Sequence, residues 1–225
     1  MEIVGNPSAN NSNLIRRIRN DLDFNPSPLE VDQKFFSRIL RSDTSVLDVG
    51  SSLREKNVLV KARVELFHTL DINVFEDYPD IQMDLCENSD LSNLKTYDVI
   101  FCFSLLEHCY NPFIACDNLF KLLNPGGIIV GSVPFLFPHH CPQDLSYQDF
   151  FRFTKYSFIP LFPSADKISV FPHRGRVGAG LNIVTQRYKD WFEKNFTWVS
   201  TRINKIDQSR RPEQSSGFDF IVRKR

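Results

Sequence analysis

Residues 45–53 read SVLDVGSSL, and this stretch decides the fold class of the 225-residue chain. Val46, Leu47 and Val49 form a short aliphatic run, which is typical of a strand buried on both faces of a parallel sheet. Asp48 interrupts the run near its carboxyl end, where a buried strand has no structural use for a charge. We therefore expect this acid to face a ligand in the crevice where a parallel sheet opens.

The turn after this strand is also suited to a ligand. Gly50 follows at once and allows the backbone to turn tightly and come close to a bound molecule. Ser51 or Ser52 then caps the next helix. One glycine after a hydrophobic strand is a weak signal by itself, since many α/β proteins have one. The signal gains weight from acids that stand at the ends of later strand-like runs.

Those acids follow at distances typical of a nucleotide-binding sheet. The apolar segment 64–70 ends at Asp71, at about the ~20-residue interval where such a sheet places the acid that holds ribose hydroxyls. Asp84 stands before Leu85, and residues 97–103 (YDVIFCF) predict another buried strand. The sequence therefore predicts several acids at one edge of a sheet.

The rest of the chain alternates helical and strand-like segments, which implies right-handed βαβ crossovers and a parallel sheet. A strand at the end of the chain suits a sheet whose last two strands form an antiparallel pair at the edge. The predicted helices span about 13–22, 29–41, 53–61, 87–95, 112–123, 154–162 and 178–196, and the predicted strands 46–49, 64–70, 81–85, 97–103, 128–133, 167–172 and 218–222.

The amino-acid composition limits the classes of function that the protein can have. The 27 basic and 27 acidic side chains cancel, so no net field favours nucleic acid or an anionic membrane. The five cysteines include no Cys-x-x-Cys pair, which favours reduced thiols over disulfides or a metal site. No apolar run approaches the ~18 residues of a membrane span, and the amino terminus does not look like a secretion signal. We expect one cytoplasmic domain without a metal, a nucleic-acid partner or a membrane span; the sequence does not indicate an oligomeric state.

Five motifs in order resemble those of the class I S-adenosylmethionine-dependent methyltransferases, specifically the small type-11-like group. The resemblance covers about residues 46–134 closely. It implies a single-domain Rossmann-like α/β fold, with a mostly parallel seven-stranded sheet, helices on both faces and an antiparallel edge strand. The motifs are Leu47-Asp48-Val49-Gly50, Asp71, Asp84-Leu85, Tyr97-Asp98-Val99-Ile100 with Leu106-Glu107-His108, and Leu123-Asn124-Pro125-Gly126-Gly127.

The resemblance implies S-adenosylmethionine as cofactor, with Asp71 at the ribose and Asp84-Leu85 at the adenine. One departure lies in the first turn, where the family has further glycines and this chain has Ser51, Ser52, Leu53 and Arg54. Side chains at these places crowd the methionine end of the cofactor or rearrange the turn. We expect binding to survive, because serine is the least obstructive replacement. The predicted cofactor-binding residues are Asp48, Gly50, Ser51, Asp71, Asp84, Leu85, Phe103 and Ser104.

Residues 134–154 resemble a methyltransferase subgroup often found in glycan and cell-surface biosynthesis. In that subgroup a Pro-aromatic run leads to a histidine and then to Asp-aromatic-aromatic-Arg-aromatic-Thr, here Asp149 to Thr154, with a longer gap after the histidine. We expect residues 1–12 to form a flexible tail and 13–225 the methyltransferase domain. Within that domain, 13–44 are expected to form cap helices and 135–165 an insertion that walls the acceptor pocket.

Methyl transfer is an in-line displacement, so orientation supplies much of the acceleration, and a hydroxyl acceptor also benefits from a base. A neutral imidazole fits that role. The catalytic candidates are His108, His140 and Asp149, and the acceptor-binding candidates are His139, Asp144 and Arg152.

Other interpretations stay open. One alternative is that Glu107 and His108 only hold the turn or the cofactor in place. Another is that Asp149 simply pairs with Arg152 on a helix face. The expected activity is methyl transfer to a small-molecule or sugar hydroxyl, in glycan or secondary-metabolite biosynthesis. The alternatives are an inactive methyltransferase-like scaffold and a nucleotide-binding oxidoreductase, although the latter needs a Gly-x-Gly-x-x-Gly turn that is missing here.

Overall fold

A computed structural model describes residues 22–24, 29–142, 147–173, 175–183, 186–210 and 215–225. The predicted tail, nearly all of the first predicted helix and the acceptor-binding candidate Asp144 lie outside the described residues. The description below concerns the described part of the chain.

Eight strands form one sheet, in the order β1-β7-β8-β6-β5-β2-β3-β4. The predicted α/β fold with a mostly parallel sheet is confirmed, since among these strands only β8 runs antiparallel to its neighbours. That strand lies between β6 and β7 rather than at the edge, and the short β1 adds an eighth strand beyond β7. The strands are β1 (Leu22–Phe24), β2 (Ser45–Val49), β3 (Leu66–Asp71), β4 (Ile81–Gln82), β5 (Tyr97–Phe103), β6 (Leu123–Pro134), β7 (Lys167–Pro172) and β8 (Gly217–Arg223).

Six α-helices and two 3-10 helices connect the described strands. No helix in these parts of the chain is long and apolar enough to cross a membrane. The α-helices are α1 (Gln33–Ile39), α2 (Asn57–Lys61), α3 (Pro112–Lys121), α4 (Phe158–Leu161), α5 (Arg176–Ile183) and α6 (Gln186–Arg210), and the 3-10 helices are Arg54–Lys56 and Leu106–His108.

Three helix predictions were wrong in detail. Residues 87–95 form turns, because the Asp90 carboxylate accepts from the backbone N–H of Ser92 and offers the backbone an alternative to helix. The helix predicted at 154–162 is confined to α4. The helix predicted at 178–196 belongs to two helices, and the second is kinked at Phe196, whose φ is −133°.

Strand β2 lies at the centre of the core. It pairs with β3 on one side and β5 on the other, so alternate side chains face two separate apolar layers. Leu47 packs in the layer that includes residues of α3 and α4, and Val46 packs in the layer that includes Phe36 of α1 and Val60 of α2. Burial on both faces explains why this strand reads as a nearly continuous apolar run.

The parallel strands bring their carboxyl ends to one edge of the sheet. Strand order reverses at β2, since β3 and β4 lie on one side of it and β5 and β6 on the other. Such a reversal leaves a crevice beyond the strand ends, and ligands of open α/β sheets bind there. The acids singled out in the sequence therefore belong at this edge.

Candidate active site

A cleft of ≈ 510 Å³ opens at the carboxyl ends of β2, β3 and β5. Its volume lies within the ~300–1,000 Å³ of typical small-molecule pockets. Seven of the eight residues predicted to bind a cofactor line it: Gly50, Ser51, Asp71, Asp84, Leu85, Phe103 and Ser104.

The turn after β2 brings the backbone close to the cleft. Gly50 has φ +68°, and its N–H donates to the carbonyl of Leu70 at 2.8 Å. A Cβ atom on Gly50 would lie 2.5 Å from Cδ1 of Leu105, so a side chain here would force Leu105 to shift. Ser51 also has a left-handed φ, +51°. The turn thus keeps its shape although serine stands where the family usually has glycine.

Asp48 lies beneath the cleft rather than in it, which corrects the expectation that it faces the ligand. Its side chain is fully buried, and Oδ1 accepts from the hydroxyl of Ser52 at 2.6 Å and from the N–H of Leu53 at 3.1 Å. Oδ2 has no hydrogen-bond partner among the described residues. Burial raises the pKa of Asp48 to about 6. The acid holds the turn through these two hydrogen bonds.

Two other acids do line the cleft. Asp71 accepts from the N–H of Asn73 at 2.9 Å and from the hydroxyl of Tyr78 at 3.0 Å, which fixes the orientation of the carboxylate. Asp84 accepts from the N–H of Cys86 at 2.8 Å. A carboxylate oxygen has more than one acceptor site, so both groups retain capacity for ligand hydroxyl or amino donors.

Three polar side chains meet at the cleft, and we call Glu107, His108 and His140 the carboxylate–histidine cluster. Oε1 of Glu107 lies 3.9 Å from Nε2 of His108 and 3.8 Å from Nε2 of His140. Both histidines line the cleft, whereas Glu107 is fully buried behind them. Burial raises the pKa of Glu107 to about 7 and lowers that of His108.

Each histidine of the cluster is held through its other ring nitrogen. Nδ1 of His108 lies 2.7 Å from the carbonyl of Gln148. Because a carbonyl only accepts, Nδ1 carries the proton and Nε2 keeps its lone pair. Nδ1 of His140 hydrogen-bonds the carbonyl of Pro138, which also only accepts, at 3.3 Å, and lies 3.2 Å from Oδ2 of Asp149. Both Nε2 atoms are therefore available for a ligand or a proton.

Asp149 is anchored by Arg152 on a segment that is not helical. The guanidinium donates to both carboxylate oxygens and to the carbonyls of Phe137, Pro138 and Phe151. Its hydrogen bonds hold the pKa of Asp149 well below the usual range. Neither Arg152 nor the exposed His139 lines the cleft, so the predicted acceptor-binding role of both residues is not supported.

The methyltransferase-domain family matches residues 29–174, which is more than half of the chain. The chain belongs to this family. Among curated proteins, none matches the chain significantly.

Solved structures of methyltransferases share the fold. An S-adenosylmethionine-dependent methyltransferase from Archaeoglobus fulgidus is 15% identical, with a TM-score of 0.52 over 85% of this chain and 90% of that one. Phosphoethanolamine N-methyltransferase 2 from Haemonchus contortus, solved with S-adenosyl-L-methionine, is 13% identical, with a TM-score of 0.51. The match covers 88% of this chain and 53% of the Haemonchus chain, so this chain spans about half of that protein's length.

The cleft fits the cofactor of class I methyltransferases, S-adenosylmethionine. The left-handed turn at Gly50 brings the backbone to the cleft, and Asp71 and Asp84 present carboxylates at the ends of neighbouring strand segments. These groups match a nucleoside with a vicinal diol and an exocyclic amine, which are hydrogen-bond donors.

Sequence reasoning missed part of the methyltransferase site. Tyr147 and Phe150 line the cleft beside the histidines, yet their segment shows no periodicity that places them. The sequence predicts only that Glu107 holds the turn or the cofactor. The sequence predicted no metal-binding set, whereas the structure brings Glu107 and His108 next to His140, 32 residues away in the chain. Only the folded segment after β6 reveals this proximity.

Proposed function

We propose that this methyltransferase transfers a methyl group from S-adenosylmethionine to a hydroxyl group of a small molecule or sugar. The observation that carries the proposal is the pair of oriented imidazoles, His108 and His140, at the wall of the cleft beyond the predicted cofactor residues. An aligned proton acceptor accelerates attack by a hydroxyl, whose oxygen is a weak nucleophile while it keeps its proton.

The half of the cleft formed by β2 and β3 suits the adenosine moiety. We assign the ribose hydroxyls to the Asp71 carboxylate and the adenine to Asp84 and Leu85, all of which line the cleft. The turn at Gly50 and Ser51 and the strand end at Phe103 and Ser104 complete this half. Asp48 supports it from below through Ser52 and Leu53.

The other half suits the acceptor. His108, His140, Tyr147 and Phe150 line it, and three of them lie in the segment after β6. This supports residues 135–165 as the wall of an acceptor pocket. The aromatic rings offer apolar contact surface to an acceptor, and the imidazoles fix a polar group by hydrogen bonding.

The bound cofactor supplies an electrophilic methyl group on a sulfonium, which keeps the electron pair of the broken carbon–sulfur bond. The protein orients the acceptor oxygen in line with that bond. Nε2 of His140 or His108 accepts the hydroxyl proton as the new oxygen–carbon bond forms. The carboxylate of Asp149, 3.2 Å from Nδ1 of His140, stabilises the imidazolium that results.

The acceptor class follows from the resemblance of residues 134–154 to glycan and cell-surface methyltransferases. We propose a carbohydrate hydroxyl, free or on a carrier, ahead of a hydroxyl of a secondary metabolite. A hydroxyl acceptor depends on a neighbouring base more than an amine does, because the nitrogen of a neutral amine is a stronger nucleophile than the oxygen of a protonated hydroxyl.

The test combines binding and transfer. Calorimetry should show one S-adenosylmethionine per chain, with S-adenosylhomocysteine competing for it. Incubation with a trideuteromethyl donor and matched panels of sugar alcohols and amines should label an oxygen. Label found only on nitrogen would contradict the hydroxyl assignment, and absence of binding to both cofactor forms would favour the scaffold alternative.

A further inference from the structure

We propose that the carboxylate–histidine cluster of Glu107, His108 and His140 binds a divalent transition-metal ion at the wall of the cleft. Each residue offers one potential ligand atom, and the three atoms lie within 4.8 Å of one another. Ligands placed ~2.1 Å from a tetrahedral ion are separated by about 3.4 Å. The Glu107 to histidine distances of 3.8 and 3.9 Å lie within about half an ångström of that separation.

The state of Glu107 is the independent observation. Its side chain is 0% exposed, and neither carboxylate oxygen has a hydrogen-bond partner among the described residues. A buried polar group without a partner is costly, and an unpartnered carboxylate is among the most costly. A cation between Glu107 and the two imidazoles removes this cost, since it coordinates the buried oxygen directly.

The second ring nitrogen of each histidine has the kind of hydrogen-bond partner that is typical of a metal ligand. Histidines that ligate metals almost always donate their second ring N–H to a carbonyl or carboxylate, which fixes the tautomer and the ring. His108 has this partner in the carbonyl of Gln148, and His140 has it in the carbonyl of Pro138, with Oδ2 of Asp149 3.2 Å from the same nitrogen. Arg152 in turn fixes Asp149. The Nε2 lone pairs of both rings face the Glu107 carboxylate.

The donor set selects the type of ion. Two imidazoles and one carboxylate suit Zn²⁺, Fe²⁺ or Co²⁺, whereas Mg²⁺ and Ca²⁺ prefer sites made of oxygen ligands. Three protein ligands leave at least one coordination position open. Since His108 and His140 line the cleft, the open position faces the space assigned to the acceptor.

An ion in this place deepens the proposed function, and this step rests on that proposal. A hydroxyl bound at the open position loses its proton more readily, because the cation lowers its pKa. With the ion bound, the Nε2 lone pairs are donated to the metal. The ion then takes over the activating role that the imidazoles have in the metal-free protein, and the proton leaves to water. Metal binding by itself does not depend on the identity of the acceptor.

The experiment uses the full chain after treatment with a chelator. Calorimetric titration with Zn²⁺ should show one site per chain, and Co²⁺ should give visible absorption bands of a four- or five-coordinate ion. Glu107→Gln and His140→Ala should each weaken binding by more than the ~10–100-fold typical of losing a supporting residue. Asp149→Asn should fall within that ~10–100-fold range.

The matched control is His139→Asn. His139 is the exposed neighbour of His140, and its Nδ1 lies 3.9 Å from Sγ of Cys141, so this pair is the rival metal site in the same loop. The control variant should bind Zn²⁺ and Co²⁺ like the wild type. Loss of binding in His139→Asn, with retention in Glu107→Gln and His140→Ala, would overturn the proposal.

Wild-type protein that binds neither ion would also overturn it, whether or not any variant folds. Titration of the metal-free protein with S-adenosylmethionine separates the two proposals. Metal binding without cofactor binding would support the metal site and contradict the proposed function. Cofactor binding without metal binding would contradict the metal site and leave the proposed function standing.

Discussion

Nδ1 of His140 lies 3.2 Å from the carboxylate of Asp149, and the same carboxylate accepts from the backbone N–H of His140 at 2.8 Å. One acid thus fixes the backbone of the histidine that lines the cleft and lies beside its ring, whose Nδ1 hydrogen-bonds the carbonyl of Pro138 at 3.3 Å. The carbonyl sets the tautomer, and the neighbouring acid stabilises the charged ring. Asp149 acts through His140, so it is a positioning residue.

Replacement of Asp149 by Asn should lower kcat for methyl transfer by about 100-fold, in the range typical of losing acid–base assistance. The dissociation constant for S-adenosylmethionine should stay unchanged, because Asp149 does not line the cleft. The matched control is Asp219→Asn, since Asp219 forms a similar pair with Nε2 of His173 at 2.6 Å away from the cleft. Equal kcat losses in the two variants would contradict the positioning role.

Replacement of Asp71 by Ala should weaken S-adenosylmethionine binding by roughly 10–100-fold, as expected for hydrogen bonds to a charged group. Calorimetry measures the change. Asp77→Ala removes an exposed acid from the same loop and should leave affinity unchanged. Tyr78→Phe tests the bond that orients Asp71 and should have an intermediate effect. Unaltered affinity in Asp71→Ala would rule out the assigned ribose contact.

Replacement of Gly50 by Ala should destabilise the fold more than the same change at Gly126. Both glycines have a left-handed φ, +68° and +78°, so both variants carry the backbone strain. Only at Gly50 would the new Cβ collide with Leu105, at 2.5 Å, while the space at Gly126 is open. The free energy of unfolding in urea should differ between the variants by about 1–3 kcal/mol, the usual cost of overpacking. Equal losses of unfolding free energy in the two variants would mean that Leu105 moves aside freely and would contradict this prediction.

Replacement of Asp48 by Asn should change how stability depends on pH. Burial raises the pKa of Asp48 from its ordinary value of 3.8 to about 6 in the folded state. Its contribution to stability is therefore fully present below pH 3.8 and is lost as pH rises through about 6. The asparagine does not titrate, and its oxygen can still accept from Ser52 and Leu53.

The free energy of unfolding of the wild type, relative to Asp48→Asn, should thus fall by about 2 kcal/mol between about pH 4.5 and about pH 7.5. The comparison cancels the titration of groups shared by both proteins. A difference that stays constant with pH would show that Asp48 titrates normally.

The sequence predicted those parts of the fold that depend on local pattern. The apolar run with Asp48 and Gly50 identified β2, and the cleft contains seven of the eight predicted cofactor residues. The failures have physical causes. Turn-forming side chains such as Asp90 outweighed helical spacing in residues 87–95, and Leu22 to Phe24 became a strand only because β7 offers an edge to pair with.

The acceptor side was less predictable because its contacts join distant segments. Arg152 looked available for a substrate until the fold paired it with Asp149 and three carbonyls. Glu107 looked like part of a turn, and its burial beside His140 depends on how the segment after β6 folds back. Residue types alone do not encode such distances.

A crystal structure of the protein with S-adenosylhomocysteine tests the central claim most directly. The account predicts ribose hydroxyls on the Asp71 carboxylate and the cofactor sulfur directed toward His108 and His140. A nucleoside bound away from Asp71, or a cleft that stays closed to the ligand at saturating concentration, would contradict it.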